Sequence, residues 1–224
     1  MGMRTLAVAA ALALAAPGLH AGCDDAPADN VDWSGCTKQR LVLKKISLQG
    51  ARFDRSVQLG INFEGSNLRR ASFASAEVSG TSFRNADMEG ANLNKLVAVR
   101  SNFTGARLAG ADLEKAEFNR SILAHAVLSG ANLSKGDFGR SEFERADLRG
   151  ANLRYSNLAR AGFRRAQLAG ADFSHAYLFA TRVEATDLSA VKGLAQAQID
   201  VACGDAKTIL PAGLKAPASW PCLD

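Results

Sequence analysis

From Leu43 to Leu188 a large apolar residue returns at every fifth position, beginning Leu43, Leu48, Phe53 and continuing through Phe63, Leu68 and Phe73. Two residues earlier nearly every unit carries Ala, Ser, Thr or Gly, as at Ala71, Ala76, Thr81, Ala86, Ala91 and Thr186. Only Gln58 and Ala98 break the apolar row, and no insertion shifts its phase from 41 to 190. An amphipathic helix needs apolar spacings of three and four, and a strand needs two. A period of five fits neither. The chain must therefore turn a corner after each unit, with the large residue on the axis and the small one letting the backbone come close. A fixed short period of this kind predicts a solenoid.

A second period of twenty lies on top of the first. Gly90-Ala91-Asn92-Leu93 returns as Gly110-Ala111-Asp112-Leu113, Gly130-Ala131-Asn132-Leu133, Gly150-Ala151-Asn152-Leu153 and Gly170-Ala171-Asp172-Phe173. Four units thus form a coil, and like stacks on like. The row from Leu48 to Leu188 is Leu throughout except Met88, and Phe63, Phe83, Phe103, Phe143 and Phe163 form another, interrupted by Leu123. With coils about 4.8 Å apart, some seven coils give a rod on the order of 35 Å long. At Ala98 the missing volume returns as Leu96 in the small position, a swap that packed interiors tolerate. Gln58 has no such partner, and the reading is that a local bulge turns Leu59 inward in its place.

Ala131-Asn132-Leu133-Ser134-Lys135 and Ala146-Asp147-Leu148-Arg149-Gly150 resemble the signature of the pentapeptide-repeat family, Ala-(Asn/Asp)-Leu-x-x, over about two-thirds of the chain. The resemblance implies an all-β solenoid, a right-handed quadrilateral β-helix with four pentapeptides per coil. Solenoids need caps at their open ends. The organisation expected is a signal peptide at 1–21, an N-terminal cap at 22–40, the repeat β-helix at 41–190 and a C-terminal cap at 191–224. In the last of these, Leu194 to Ala202 reads as a short helix ended near Gly204, followed by a tail held extended by Pro211, Pro217 and Pro221. Trp33 and Trp220 read as plugs over Phe or Leu, with a carbohydrate-stacking role as the alternative.

Arg4, the Ala- and Leu-rich run from Thr5 to Ala16, Pro17-Gly18 and the small Ala21 have the form of a secretion signal. The run is too short to span a membrane, and no later stretch qualifies. The expected location is the periplasm or the cell exterior. A lipoprotein anchored at Cys23 is the alternative, although His20 stands where such signals usually have Leu. All four cysteines lie in the caps: Cys23 and Cys36, then Cys203 and Cys222. If the caps sit at opposite ends of the rod, only Cys23–Cys36 and Cys203–Cys222 can meet, because a disulfide needs Cα atoms within about 7 Å. Val31-Asp32-Trp33-Ser34-Gly35-Cys36 also resembles the leaders of secreted family members.

Charge adds one feature. Lys and Arg number 27 against 22 Asp and Glu, and residues 1–21 hold one Arg and no acid. The last residue of each unit from 45 onward includes twelve Lys or Arg and no acid. Stacking by twenty places Lys95, Lys115 and Lys135 in one corner column and Arg100, Arg120, Arg140 and Arg160 in the next. Glu117, Asp137 and Glu142 stand two residues beyond Lys115, Lys135 and Arg140, placed to pair across the corner, and exposed pairs of this kind are worth about 0–1 kcal/mol. One reading is a solvated face. The other is a strip for an anionic envelope polymer, a polysaccharide or lipopolysaccharide, or for an acidic protein. Only Tyr155 interleaves the strip, which argues against nucleic acid. No catalytic motif is present, no cofactor is implied, and His125 and His175 lie two and a half coils apart on opposite sides, so no metal site forms. Some family members mimic DNA and protect gyrase from quinolones, but those are cytoplasmic and acidic on the binding surface, unlike this chain. What remains is a non-enzymatic scaffold or protein-interaction module whose partner and oligomeric state the sequence does not name.

Overall fold

The computed structural model describes residues 22–222. The secretion signal read at 1–21 lies outside the described residues. From Asp32 to Lys192 the backbone winds so that the second residue of each unit pairs in parallel with the residue twenty positions on: Asp32 with Arg52, Arg52 with Ser72, and so to Asp172 with Lys192. A turn falls at every fifth residue, so a coil is twenty residues with four turns. Each side pairs through a single residue, too short for a regular strand. The exceptions are β1 (Thr37–Gln39) and β2 (Val57–Leu59), paired Thr37 to Val57, Lys38 to Gln58 and Gln39 to Leu59.

The five backbone N–H groups of a unit have separate fates, and these explain the repeat. In the unit from 61 to 65, Asn62 N–H donates to Leu41 O, Phe63 N–H to Ser82 O and Gly65 N–H to Arg84 O. In most units the first N–H closes the preceding turn, as Ala51 N–H does to Leu48 O at 3.1 Å. The fourth N–H has no backbone acceptor. In the thirteen of the thirty units whose second residue is Asn or Asp, it finds one there: Glu64 N–H to Asn62 Oδ1, Ser134 N–H to Asn132 Oδ1, Arg149 N–H to Asp147 Oδ1. The acids of the repeat are therefore largely backbone acceptors. Asp187 and Asp172 are held below the usual carboxylate range chiefly by bonds from Ser189 and Ser174.

The fifth residue takes a left-handed φ, +62° to +75° at repeat glycines such as Gly60 and Gly170, and +55° to +59° at Arg100, Lys115, Arg120 and Arg160. Glycine accepts this freely, whereas a side chain there costs roughly 1–2 kcal/mol.

Large side chains fill the axis. Phe53 stacks on Phe73 at 4.4 Å, Phe83 on Phe103 at 4.7 Å and Phe143 on Phe163 at 4.8 Å between ring centroids. Leu96 and Ala98 are both fully buried, so volume is indeed exchanged at that break. Not every inward small residue is apolar. Thr81, Ser101, Ser121, Ser141 and Thr181 form a buried row whose hydroxyls donate to carbonyls of the preceding coil, among them Gln58, Val78 and Leu158 at 2.7–2.8 Å. The first coils instead carry Leu41 and Ile61 in this row.

Gln58 corrects the sequence reading. No bulge turns Leu59 inward: Gln58 itself is fully buried and Leu59 is only half-buried. The reason lies one coil earlier. Its register partner is Lys38, so the row opens polar at the rod's end. The Lys38 ammonium donates to Cys23 O at 2.6 Å and stands 4.1 Å above the Trp33 ring. Gln58 Nε2 donates to Ser56 Oγ at 3.2 Å, and its Oε1 has no partner.

The two ends finish differently. At the first, Trp33 is buried edge-on against Phe53 at 5.7 Å, a plug over Phe. At the other, pairing drifts to Arg182 with Cys203 and Asp187 with Ile209. The helix there is shorter than expected: α1 runs only Gln196–Asp200. The chain must re-enter the coil, where Ala180 N–H meets Val201 O and Cys203 N–H meets Thr181 O. Gln198 Nε2 reaches back to Phe173 O and Ala176 O. Trp220 packs against the buried core and lies on Gly204, where any Cβ would come within 2.6 Å of the ring, and it donates to Ala202 O at 2.7 Å. Cys23 joins Cys36 and Cys203 joins Cys222, with Cα atoms 5.6 and 5.5 Å apart.

Candidate functional site

The axis is filled, so whatever the protein binds must meet its faces, corners or ends. The corner columns carry the strongest charge. Lys95, Lys115 and Lys135 stack on one corner and Arg100, Arg120, Arg140 and Arg160 on the next, and all seven are exposed. The five-residue turn geometry places each at the left-handed position, where the chain projects outward from the rod.

The two columns differ in their partners. The expected acids, Glu117, Asp137 and Glu142, do not pair with Lys115, Lys135 and Arg140. The lysines turn the other way, to Glu114, 3.0 Å from Lys135 Nζ and 3.8 Å from Lys115 Nζ. The Glu114 carboxyl is held below its usual range chiefly by the hydrogen bond from Lys135, with Lys115 and Lys95 adding their charge. Asp137 is occupied as an acceptor for Gly139 N–H and Asn157 Nδ2. Arg100, Arg120, Arg140 and Arg160 have no ion pair among the described residues.

Aromatic side chains stand at the C-terminal end of the strip. Tyr155 continues the lysine corner and stacks on His175 at 4.8 Å, with the Arg154 guanidinium 5.7 Å from the Tyr155 ring. Tyr177 and Phe179, outward on the side between the two corners, lie parallel at 6.3 Å and about half exposed. Sequence reasoning singled out Tyr155 alone. The signal for the others was an aromatic pair at the second and fourth positions of a unit, where polar residues prevail. His125 and His175 fall on opposite corners, and no group of metal-ligating side chains forms among the described residues. None of the described helices is long and apolar enough to cross a membrane.

Comparison with known families gives matches of two models: "Pentapeptide repeat region" over residues 98–173, and "Pentapeptide repeats (8 copies)" over 46–85 and 60–94. No curated protein matches the chain. Among solved structures, full-length QnrB1, a plasmid-mediated fluoroquinolone resistance protein, is similar with a TM-score of 0.66 at 15% identity, covering 80% of this chain and 91% of its own. HetL, a pentapeptide-repeat protein involved in heterocyst differentiation regulation in the cyanobacterium Nostoc sp. strain PCC 7120, is 25% identical with a TM-score of 0.41, covering 79% and 86%. A pentapeptide-repeat protein of the Arabidopsis thaliana thylakoid lumen is 26% identical with a TM-score of 0.22, covering 59% and 68%. The first of these supports the fold, and the fold alone.

Proposed function

Because this chain belongs to the pentapeptide-repeat family, we propose that it is a non-enzymatic interaction module: a right-handed, four-sided rod of about seven coils that acts in the periplasm or outside the cell. The observation that carries this reading is the filled axis, with Phe and Leu side chains fully buried from Phe53 to Phe163. It leaves faces, corners and ends as the working surfaces. Two disulfides suit an oxidising compartment. The Cys23 sulfur is engaged with Cys36, which leaves no thiol there for a lipid and favours a protein released from its leader over an anchored one.

A second reading, that the strip binds an anionic polymer, is favoured by a comparison within the chain. The corner running through Gly50, Arg70, Gly90, Gly110, Gly130, Gly150 and Gly170 meets the same left-handed requirement almost entirely with glycine. The corner at Arg100, Arg120, Arg140 and Arg160 keeps four arginines against that conformational preference. A binding role accounts for their retention. The quinolone-resistance role named for QnrB1 is not carried over, since the likeness is one of fold and the strip here is basic.

The test is retention of the protein on a carboxylated or phosphorylated polysaccharide resin, together with capture of partners from periplasmic extract, at low and high salt. Retention that weakens steeply with salt and vanishes in Arg100→Glu/Arg120→Glu supports the strip. Salt-insensitive capture of a discrete protein, unchanged in that variant, supports the scaffold. No retention at low salt removes the strip as a site.

A further inference from the structure

In the thirty units from 41 to 190 the second residue projects outward, and only at Gly162 is it glycine. Neither space nor conformation demands glycine there: a Cβ would meet nothing within 4 Å, and Gly162 is absent from the left-handed residues. Its backbone is fully used, Gly162 N–H donating to Ser141 O and its carbonyl accepting from Phe143 N–H. What the glycine does is leave a notch. The notch floors a groove of about 430 Å³ bordered by Arg140, Arg160, Arg164, Glu142 and Glu184, a size within the usual range of small-ligand sites, roughly 300–1,000 Å³.

The hydrogen-bond pattern of the repeat gives the notch its chemistry. In the consensus unit an Asn or Asp at the second position takes the N–H of the fourth. This row keeps that acceptor only at Asn62 and Asn102; its later coils carry Ile122, Glu142, Gly162 and Arg182, and beside the groove the N–H groups of Glu144, Arg164 and Glu184 have no acceptor among the described residues. Stacked about 4.8 Å apart, these amides form a short file of donors on one side of the rod. Arg140, Arg160 and Arg164 add charge beside them and make no ion pair with Glu142, even though all four border one groove. Glu184 Oε1 accepts from Arg182 Nε at 3.0 Å, while its Oε2 is buried without a hydrogen-bond partner. The groove thus offers donors and positive charge for an anion, and carboxylates for hydroxyl donors.

We propose that the groove over Gly162 binds an acidic sugar unit. Its carboxylate or phosphate rests on the amides of Glu144, Arg164 and Glu184 between Arg140 and Arg160, and its hydroxyls donate to Glu142 and Glu184. The site goes beyond the scaffold reading and rests on the anion-binding one only through Arg140 and Arg160, which it shares with the strip.

The test is titration of the protein with trigalacturonate, with glucose 6-phosphate and with uncharged maltotriose, following heat and amide NMR shifts. Either charged sugar should bind and maltotriose should not, and which of the two binds tells carboxylate from phosphate. Gly162→Asn restores the consensus side chain, takes the Arg164 N–H and fills the notch. It should weaken binding by at least about tenfold, about 1.4 kcal/mol, while leaving the melting temperature unchanged or raised. Gly162→Ala, the smaller filling, should lie between. Arg100→Glu/Arg120→Glu should abolish retention on polyanion resin yet leave groove binding intact, separating the strip from the groove. Absence of binding by both charged sugars at millimolar concentration, equal binding of maltotriose, or undiminished binding by Gly162→Asn would overturn the proposal.

Discussion

The rod's two ends solve one problem in opposite ways. At the first, the coil keeps its register to the last pairing and changes the chemistry of its residues: Lys38 and Gln58 stand where Leu and Phe stand further in, and Trp33 is buried over Phe53. At the other end the side chains stay apolar longer and the register gives way, from twenty residues to twenty-one and twenty-two, around α1 and Trp220. A solenoid can be terminated by altering what lies in a row or by altering where the row lies. The first method concentrates stability in one buried ring. The second spreads it over backbone contacts.

The comparison breaks most sharply at the tryptophans. Trp33→Ala should destabilise the protein by about 3–5 kcal/mol, the cost of removing a fully buried ring. Denaturant unfolding measures it, and a loss below about 1 kcal/mol would mean that this ring is not the plug. Breaking either disulfide as a Cys→Ser pair comes next, at about 3 kcal/mol for loops of 13 and 19 residues. Equal losses at the two ends would show that the bonds act on the unfolded chain instead of on the differing caps. Trp220→Ala should cost less, about 1–2 kcal/mol, since this ring is only partly buried and its bond to Ala202 O is lost with it. Gln58→Leu should stabilise by about 1 kcal/mol, because it removes an acceptor buried without a partner. A loss would show that the polar row is needed against Lys38.

The smallest effect is a matter of pH. Asp205 is held below the usual carboxylate range chiefly by the Ala185 amide, with Lys207 and Thr208 adding. A carboxyl lowered in the folded state stabilises it above the unfolded pKa, near 4, and that contribution is lost as pH falls through the folded value. The clasp at the C-terminal end should therefore loosen in acid. The protection of the Ala185 amide, its hydrogen exchange relative to the free-peptide rate at the same pH, should fall below about pH 4 and should already be low at neutral pH in Asp205→Asn. A protection that does not change with pH would remove Asp205 as the clasp.

Much of this molecule was legible in its sequence because a period of five has few physical solutions. The rows, the stacking by twenty and the exchange at Leu96 and Ala98 follow from counting. Gln58 was misread because counting began at Leu43, one unit after the Lys38 that explains it. The ion pairs were misassigned for a different reason. Which way a lysine leans from a left-handed corner depends on where acids lie on both adjoining sides, and Glu114 sits on the side that sequence spacing does not favour. The short helix was overextended because apolar periodicity cannot see that residues 201–203 must rejoin the coil. Gly162 stood in plain view as the only glycine among the outward second positions, but the groove it floors shows only once the coils are stacked.

The stacking by twenty also dictates how such a chain can change its length. Removing five residues would rotate everything beyond the cut by a quarter turn, setting each remaining corner above a different neighbour and scattering the arginine column over two edges. Removing twenty would shorten the rod by one rung and keep every face in line. Duplication or loss in descendants of this protein should therefore proceed in whole coils, and the length of its faces should change in steps of about 4.8 Å.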